Sequence, residues 1–235
     1  MFRAPRLLLF DIDGTLLLTR GKGRMLLRRA FEEVLDRTVD IDGVSFSGRT
    51  DPAIARDIAQ LNGINGNDCA LTTQTVLARY ADIWDAEWDA VDAYALPGVD
   101  HLIPHLFGAP GVHLGLVTGN LQPVAYNKLR CIGMTRYFAD GLGAFGSDSS
   151  DRDHLPAIAV ERVTRHTGSP FATTDVFVIG DTPSDIRCGR SISATTIGVC
   201  TGYFDRDSLE TAGADVVLDS LEDVAAAFSI LTESA

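Results

Sequence analysis

The sequence predicts an α/β fold: a doubly wound parallel sheet with a helical segment inserted after its first strand. Three observations predict it. Short apolar runs closed by turn residues recur at 6–10, 112–117, 176–179, 195–199 and 215–218; such runs suit strands buried on both faces. From residue 110 onward they alternate with helix-like stretches at 123–132, 155–167, 184–191 and 221–231, and that alternation builds a parallel sheet covered on both sides. Between about 20 and 94 the pattern changes. Segments 23–37, 51–61 and 68–90 carry apolar residues at helical spacing, with no clear strand. The predicted division is therefore a core of 1–19 and 95–235 and a helical segment of 20–94. Asp51-Pro52 reads as a helix start, with Asp as the cap and Pro at the first helical position. Leu96-Pro97-Gly98 marks the return to the sheet.

Composition bounds the function. At 235 residues, 46% of them hydrophobic, the chain can bury one domain, or one domain carrying a smaller insert. The net charge is −12 and no Lys/Arg run forms a phosphate-tracking stripe, so no nucleic-acid partner is expected. Cys69, Cys131, Cys188 and Cys200 form no CxxC pair and read as reduced thiols of a cytoplasmic protein. Arg3 and Arg6 precede only a four-residue apolar run, too short for a signal peptide or a membrane helix. A monomer or homodimer without a membrane partner is the expectation.

The chemistry begins where the first run, Leu7-Leu8-Leu9-Phe10, meets Asp11-Ile12-Asp13-Gly14-Thr15. Residues i and i+2 of a strand share a face, so both acids can aim at one point. Two close carboxylates at a buried strand end are costly unless a cation, most simply a divalent metal, neutralises them. The other strand ends are polar too. Thr118-Gly119-Asn120 follows 112–117, and Gly180-Asp181-Thr182-Pro183-Ser184-Asp185 follows 176–179. Strand ends of a parallel sheet converge at one edge. The predicted site thus holds Asp11, Asp13, Asp181 and Asp185, with Thr118, Asn120 and Arg152. Carboxylates around a hard cation suit Mg²⁺ and a substrate phosphate. One Asp can attack phosphorus, a second can move the leaving-group proton, and a Thr hydroxyl, helix-start amides and an arginine can hold phosphate oxygens.

Residues 11–16 (DIDGTL), 118–120 (TGN) and 180–185 (GDTPSD) resemble motifs one, two and four of the haloacid dehalogenase superfamily, in the right order and across nearly the whole chain. The resemblance implies a Rossmann-like core under a helical cap of the first type, closing over the site. It also implies a Mg²⁺-dependent phosphomonoester hydrolase, phosphoglycolate-phosphatase-like, acting on a small phosphorylated metabolite through an aspartyl-phosphate. By the same resemblance Asp11 is the nucleophile and Asp13 the general acid/base. Asp13 also ligates Mg²⁺ through its carbonyl, Asp11, Asp181 and Asp185 complete the metal site, and Thr118 binds the phosphoryl group, with Gly119 and Asn120 beside it. The family's dehalogenase branch lacks the second acid, so Asp13 points to phosphoryl transfer. A phosphomutase of the β-phosphoglucomutase type, or a non-catalytic phosphate-binding module, would use the same residues.

One departure stands out. The motif-three lysine is missing, and Arg152, within 147–155, is the expected substitute, its alternative being a surface residue at a helix start. Lys128, in the helix after motif two, is a weaker candidate and reads more simply as a solvated helix lysine. Arg49, in the polar loop 47–51, either folds onto the substrate's far half or stays solvated in a helix-capping loop. Trp84 and Trp88, four apart on one helix, read as core or interface. Gly141–Gly146 matches GxGxxG but lacks the strand–turn–helix context of a dinucleotide site. His101 and His105 read as ordinary helix residues.

Overall fold

The computed structural model describes residues 5–232; Arg3 lies outside them. Its centre is β1 (Arg6–Phe10), five consecutive buried residues. On one side β1 pairs in parallel with β4 (Val112–Thr118), which pairs with β5 (Gly143–Phe145). On the other lie β6 (Val176–Gly180), β7 (Thr195–Val199) and β8 (Val216–Leu218), also parallel. The order is β5-β4-β1-β6-β7-β8. The chain winds away from β1 in one direction and then returns to wind in the other. The ends of β4, β1 and β6 therefore stand side by side at the switch point, where an open α/β sheet leaves a crevice.

Strand periodicity explains the layers. Side chains alternate between faces, so Leu8 and Phe10 join one apolar cluster while Leu7 and Leu9 join another. The first cluster takes in α4 (Val99–Phe107), α5 (Gln122–Cys131) and α9 (Val224–Thr232). The second is covered by Leu155, Ala159 and Val163 of α6 (Leu155–Thr167) and Cys188 of α7 (Pro183–Arg190). A short α8 (Arg206–Thr211) joins β7 to β8. No helix of the described residues is long and apolar enough to cross a membrane.

After β1 the chain runs into β2 (Leu17–Leu18), and it returns along β3 (Tyr94–Ala95), the two paired antiparallel. Between them lie α1 (Lys22–Leu35), α2 (Asp51–Leu61) and α3 (Gly66–Glu87), which share an apolar cluster centred on the fully buried Trp84. Leu121 and Val124, at the start of α5, insert into this cluster. The helical segment is thus packed on the sheet edge as well as tethered by two strands.

Several local readings change. The cap of α2 is Thr50, whose hydroxyl accepts from the Ala53 amide at 3.3 Å; Asp51 is the first helical residue and Pro52 the second. Trp88 has left α3 for a 3₁₀ turn, where the Arg130 guanidinium stacks 4.2 Å from its ring centroid. The GxGxxG stretch contains a strand, β5, that the glycines concealed. Gly143 lies so close to β4 that a Cβ would strike the Leu116 carbonyl. Among the described residues no α-helix begins there before Leu155, so the dinucleotide context is absent. The cysteines are unpaired, with Cys69 and Cys188 buried.

Candidate active site

Asp11 and Asp13 lie just past β1 and not on it, so the alternation of a strand does not aim them. The loop does. The Asp11 amide still donates to the Ile179 carbonyl at 2.9 Å, extending the sheet by one bond. Gly14 then turns at φ 86°, and a side chain there would collide with the Asp181 carboxylate. The two acids consequently enter different environments within one cavity of about 480 Å³.

Asp11 is buried. Its Oδ1 accepts from Arg152 Nη2 at 2.7 Å, and the same nitrogen donates to Asp185. Arg152 sits in a 3₁₀ turn ahead of α6, itself buried, with its Nε unpartnered. Asp185 also accepts from the Thr182 amide at 3.0 Å and the Thr182 hydroxyl at 2.7 Å, closing a capping box at the start of α7. Asp181 accepts from the Thr15 hydroxyl at 3.2 Å. Oxygens of Asp11, Asp181 and Asp185 all lie within 4.8 Å of one another.

Three buried carboxylates around one guanidinium leave negative charge uncompensated. Burial, with Asp185 and Asp13 nearby, pushes Asp11 up to about 7 despite Arg152. Burial, with Asp185 and Asp11 nearby, raises Asp181 well above the carboxylate range. Burial opposes the Arg152 charge, but Asp185 and Asp11 outweigh it and raise its pKa. A cluster of hard oxygen donors with excess negative charge fits a divalent cation of the Mg²⁺ type. The Asp13 carboxylate is not part of that trio.

Asp13 is held separately. Lys128 Nζ donates to its Oδ2 at 2.6 Å and Asn120 Nδ2 at 2.7 Å. Lys128 also donates to Asn120 Oδ1 at 2.5 Å and lies 5.6 Å from the Trp84 ring centroid. This corrects the reading of Lys128 as a solvated lysine, since it is only 4% exposed. Sequence reasoning ranked it behind Arg152 because a lysine on the second turn of a helix carries no motif. Only the packing of α3 against α5 turns that helix face inward.

Asn120 spends both amide hydrogens within the site, on Asp13 and on Thr118 Oγ1 at 2.8 Å. It therefore fixes its neighbours and presents no free N–H to a ligand. Thr118, fully buried at the end of β4, only accepts in these bonds, so its hydroxyl hydrogen remains for a ligand in the cavity it lines. Gly119 is where the helical segment meets the sheet. Its carbonyl accepts from the Asp51 amide at 2.7 Å, and Asp51 Oδ2 accepts from the Leu121 amide at 2.8 Å. Burial pushes Asp51 up to about 6, with Lys128 and the Leu121 N–H working against it. Arg49 lines the cavity, half-buried and paired with Asp57 at 2.6 Å.

A Cβ at Gly119 would overlap the Arg49 carbonyl. Gly119→Ala is expected to destabilise the protein by about 1–3 kcal/mol through overpacking, read as a lowered urea midpoint. An unchanged midpoint would show that the two parts do not meet here in solution.

Comparison with known proteins follows the same outline. The family model of the haloacid dehalogenase-like hydrolases matches residues 8–190. A phosphoglycolate phosphatase of Vibrio vulnificus is 24% identical, over 92% of this chain and 92% of its own. Among solved structures, a predicted phosphatase from Clostridium acetobutylicum is similar at TM-score 0.70 and 17% identity, covering 97% of this chain and 100% of that one. A β-phosphoglucomutase from Clostridium difficile is similar at TM-score 0.65 and 18% identity, covering 94% and 93%. At such identities the structural likenesses show a shared fold.

Proposed function

The chain belongs to the haloacid dehalogenase-like hydrolases, and on that premise we propose that it is a Mg²⁺-dependent phosphatase of small phosphomonoesters, working through a phosphorylated Asp11. The observation that carries the reading is the division of labour between two acids in one cavity. Asp11 is buried against Arg152, while Asp13, 41% exposed at its side chain, is held by Lys128 and Asn120. A two-step phosphoryl transfer needs these two roles, a nucleophile and a proton carrier. The phosphoglycolate phosphatase relative supports the same reaction class.

In the first step an Asp11 oxygen attacks phosphorus and the ester C–O–P bond breaks on its phosphorus side. The departing alkoxide takes the proton of Asp13. In the second step water attacks the phosphoaspartate and gives its proton to Asp13, releasing phosphate and restoring Asp11. Thr118 donates its hydroxyl hydrogen to a phosphoryl oxygen, and Arg152, which lines the same cavity, sets its positive charge beside Asp11. Mg²⁺, held by Asp11, Asp181, Asp185 and the Asp13 carbonyl, would supply charge neutralisation to the phosphoryl oxygens. The helical segment, residues 20–94, serves in this reading as the cap that excludes bulk water.

The test is phosphate release from a panel of glycolate, glycerol, sugar, nucleotide and simple alkyl phosphates, with Mg²⁺ and with a chelator. Release from one or more esters is expected with Mg²⁺, falling at least about 10²-fold in chelator. Metal-independent release would remove the metal from the mechanism, and absence of release from every ester would overturn the phosphatase reading. Isomerisation of a sugar phosphate without release would identify a mutase.

A further inference from the structure

Away from the acids the cavity turns apolar. Leu18 lines it from β2, Leu27 from α1, Phe46 from the loop before α2, and Ile54 from α2 itself. The cations that line it are already engaged. Arg152 holds Asp11 and Asp185, and Lys128 holds Asp13. Arg49 holds Asp57 at 2.6 Å. Arg24 holds Asp42 at 3.3 Å and the Ile41 carbonyl at 3.1 Å, with its guanidinium 4.8 Å from the Phe46 ring centroid. A second anionic group on the substrate would compete with these carboxylates for the same cations or lie against apolar side chains.

We propose that the site prefers phosphomonoesters whose leaving group is uncharged and apolar, an alkyl or aryl body of about six carbons or more, over short esters bearing a second acid. The inference rests on the reading above that the phosphoryl group lies at Asp11. The apolar body would then extend along Leu18, Leu27, Phe46 and Ile54, which have no other evident ligand in a cavity of about 480 Å³. Leu27 and Ile54 are already buried among the helices of the segment, so Leu18 and Phe46, both partly exposed, would gain the most from that body.

A homologous alkyl series tests this, because chain length changes burial with little change in leaving-group reactivity. With Mg²⁺, kcat/KM is expected to rise at least tenfold from ethyl to hexyl phosphate, since a fully buried methylene supports up to about fourfold. Phosphoglycolate is expected to fall below hexyl phosphate by a similar factor or more. Phe46→Ser is expected to reduce the hexyl-to-ethyl ratio at least threefold. A flat or falling series, or preference for phosphoglycolate over hexyl phosphate, overturns the proposal. The same wild-type protein is titrated by calorimetry with ethylphosphonate and hexylphosphonate, which cannot be hydrolysed. If no ester releases phosphate, the phosphatase reading fails, yet tighter binding of hexylphosphonate by tenfold or more still upholds the apolar site. Equal binding of the two phosphonates sinks it.

Discussion

Asp11→Asn is expected to lower kcat on the best ester by on the order of 10⁴-fold or more, with a circular dichroism spectrum like that of the wild type. The amide is nearly isosteric with the carboxylate, so the fold does not object, but it has no oxygen lone pair basic enough to displace an alkoxide from phosphorus. Activity within tenfold of wild type would exclude Asp11 as nucleophile. The same variant should change the pH dependence of stability in chelator. In the folded protein Asp11 titrates at about 7, against a reference value of 3.8. Between those values the folded state holds a proton that the unfolded chain has released. Stability of the wild type therefore falls as pH rises through that window. Asn cannot titrate, so the loss of stability between pH 5 and pH 8, measured by urea denaturation, should be smaller in the variant. An equal loss in both proteins would show that Asp11 does not carry the raised pKa.

Lys128→Met is expected to reduce kcat on alkyl phosphates by about 10²-fold, the lower range for general acid–base catalysis, with a much smaller loss on p-nitrophenyl phosphate. Met keeps the length and the packing against Trp84 but removes the ammonium that grips Asp13 and Asn120. Asp13 then retains one tether, Asn120 Nδ2, and its half-exposed carboxylate is free to rotate toward water. An alkoxide leaving group needs the proton in place as the bond breaks, whereas p-nitrophenolate leaves without one. A loss equal for both leaving groups would assign Lys128 a structural role. Lys128→Arg, which keeps the charge, should recover part of the alkyl rate.

Much of the sheet was legible because a strand buried on both faces leaves a short apolar run bounded by turns. β1 and β7 lie at 6–10 and 195–199 as read, and β4, β6 and β8 differ from the reading by a residue. The strands that escaped notice are short or rich in glycine. β2 and β3 have two residues each, and β5 is hidden among Gly141, Gly143 and Gly146. Strands of that length exist by pairing with a distant neighbour and leave no periodicity of their own. Helix boundaries moved for a related reason. At α2 the side-chain oxygen that caps the helix belongs to Thr50, while Asp51 is drawn off to the Leu121 amide, seventy residues on.

The sequence by itself determined the order of β1, β4, β6, β7 and β8, the helical excursion after β1, and the acids and Thr118 at three strand ends, because periodicity and strand-end polarity are local properties of the chain. Only the tertiary structure decided how those acids are shared out. It placed Arg152 between Asp11 and Asp185, turned Lys128 inward onto Asp13, and brought the Arg49–Asp51 loop over Gly119. These contacts join residues 33 to 141 positions apart. Charges buried at such crossings take their partners from whatever the packing delivers, and the local pattern carries no record of that choice.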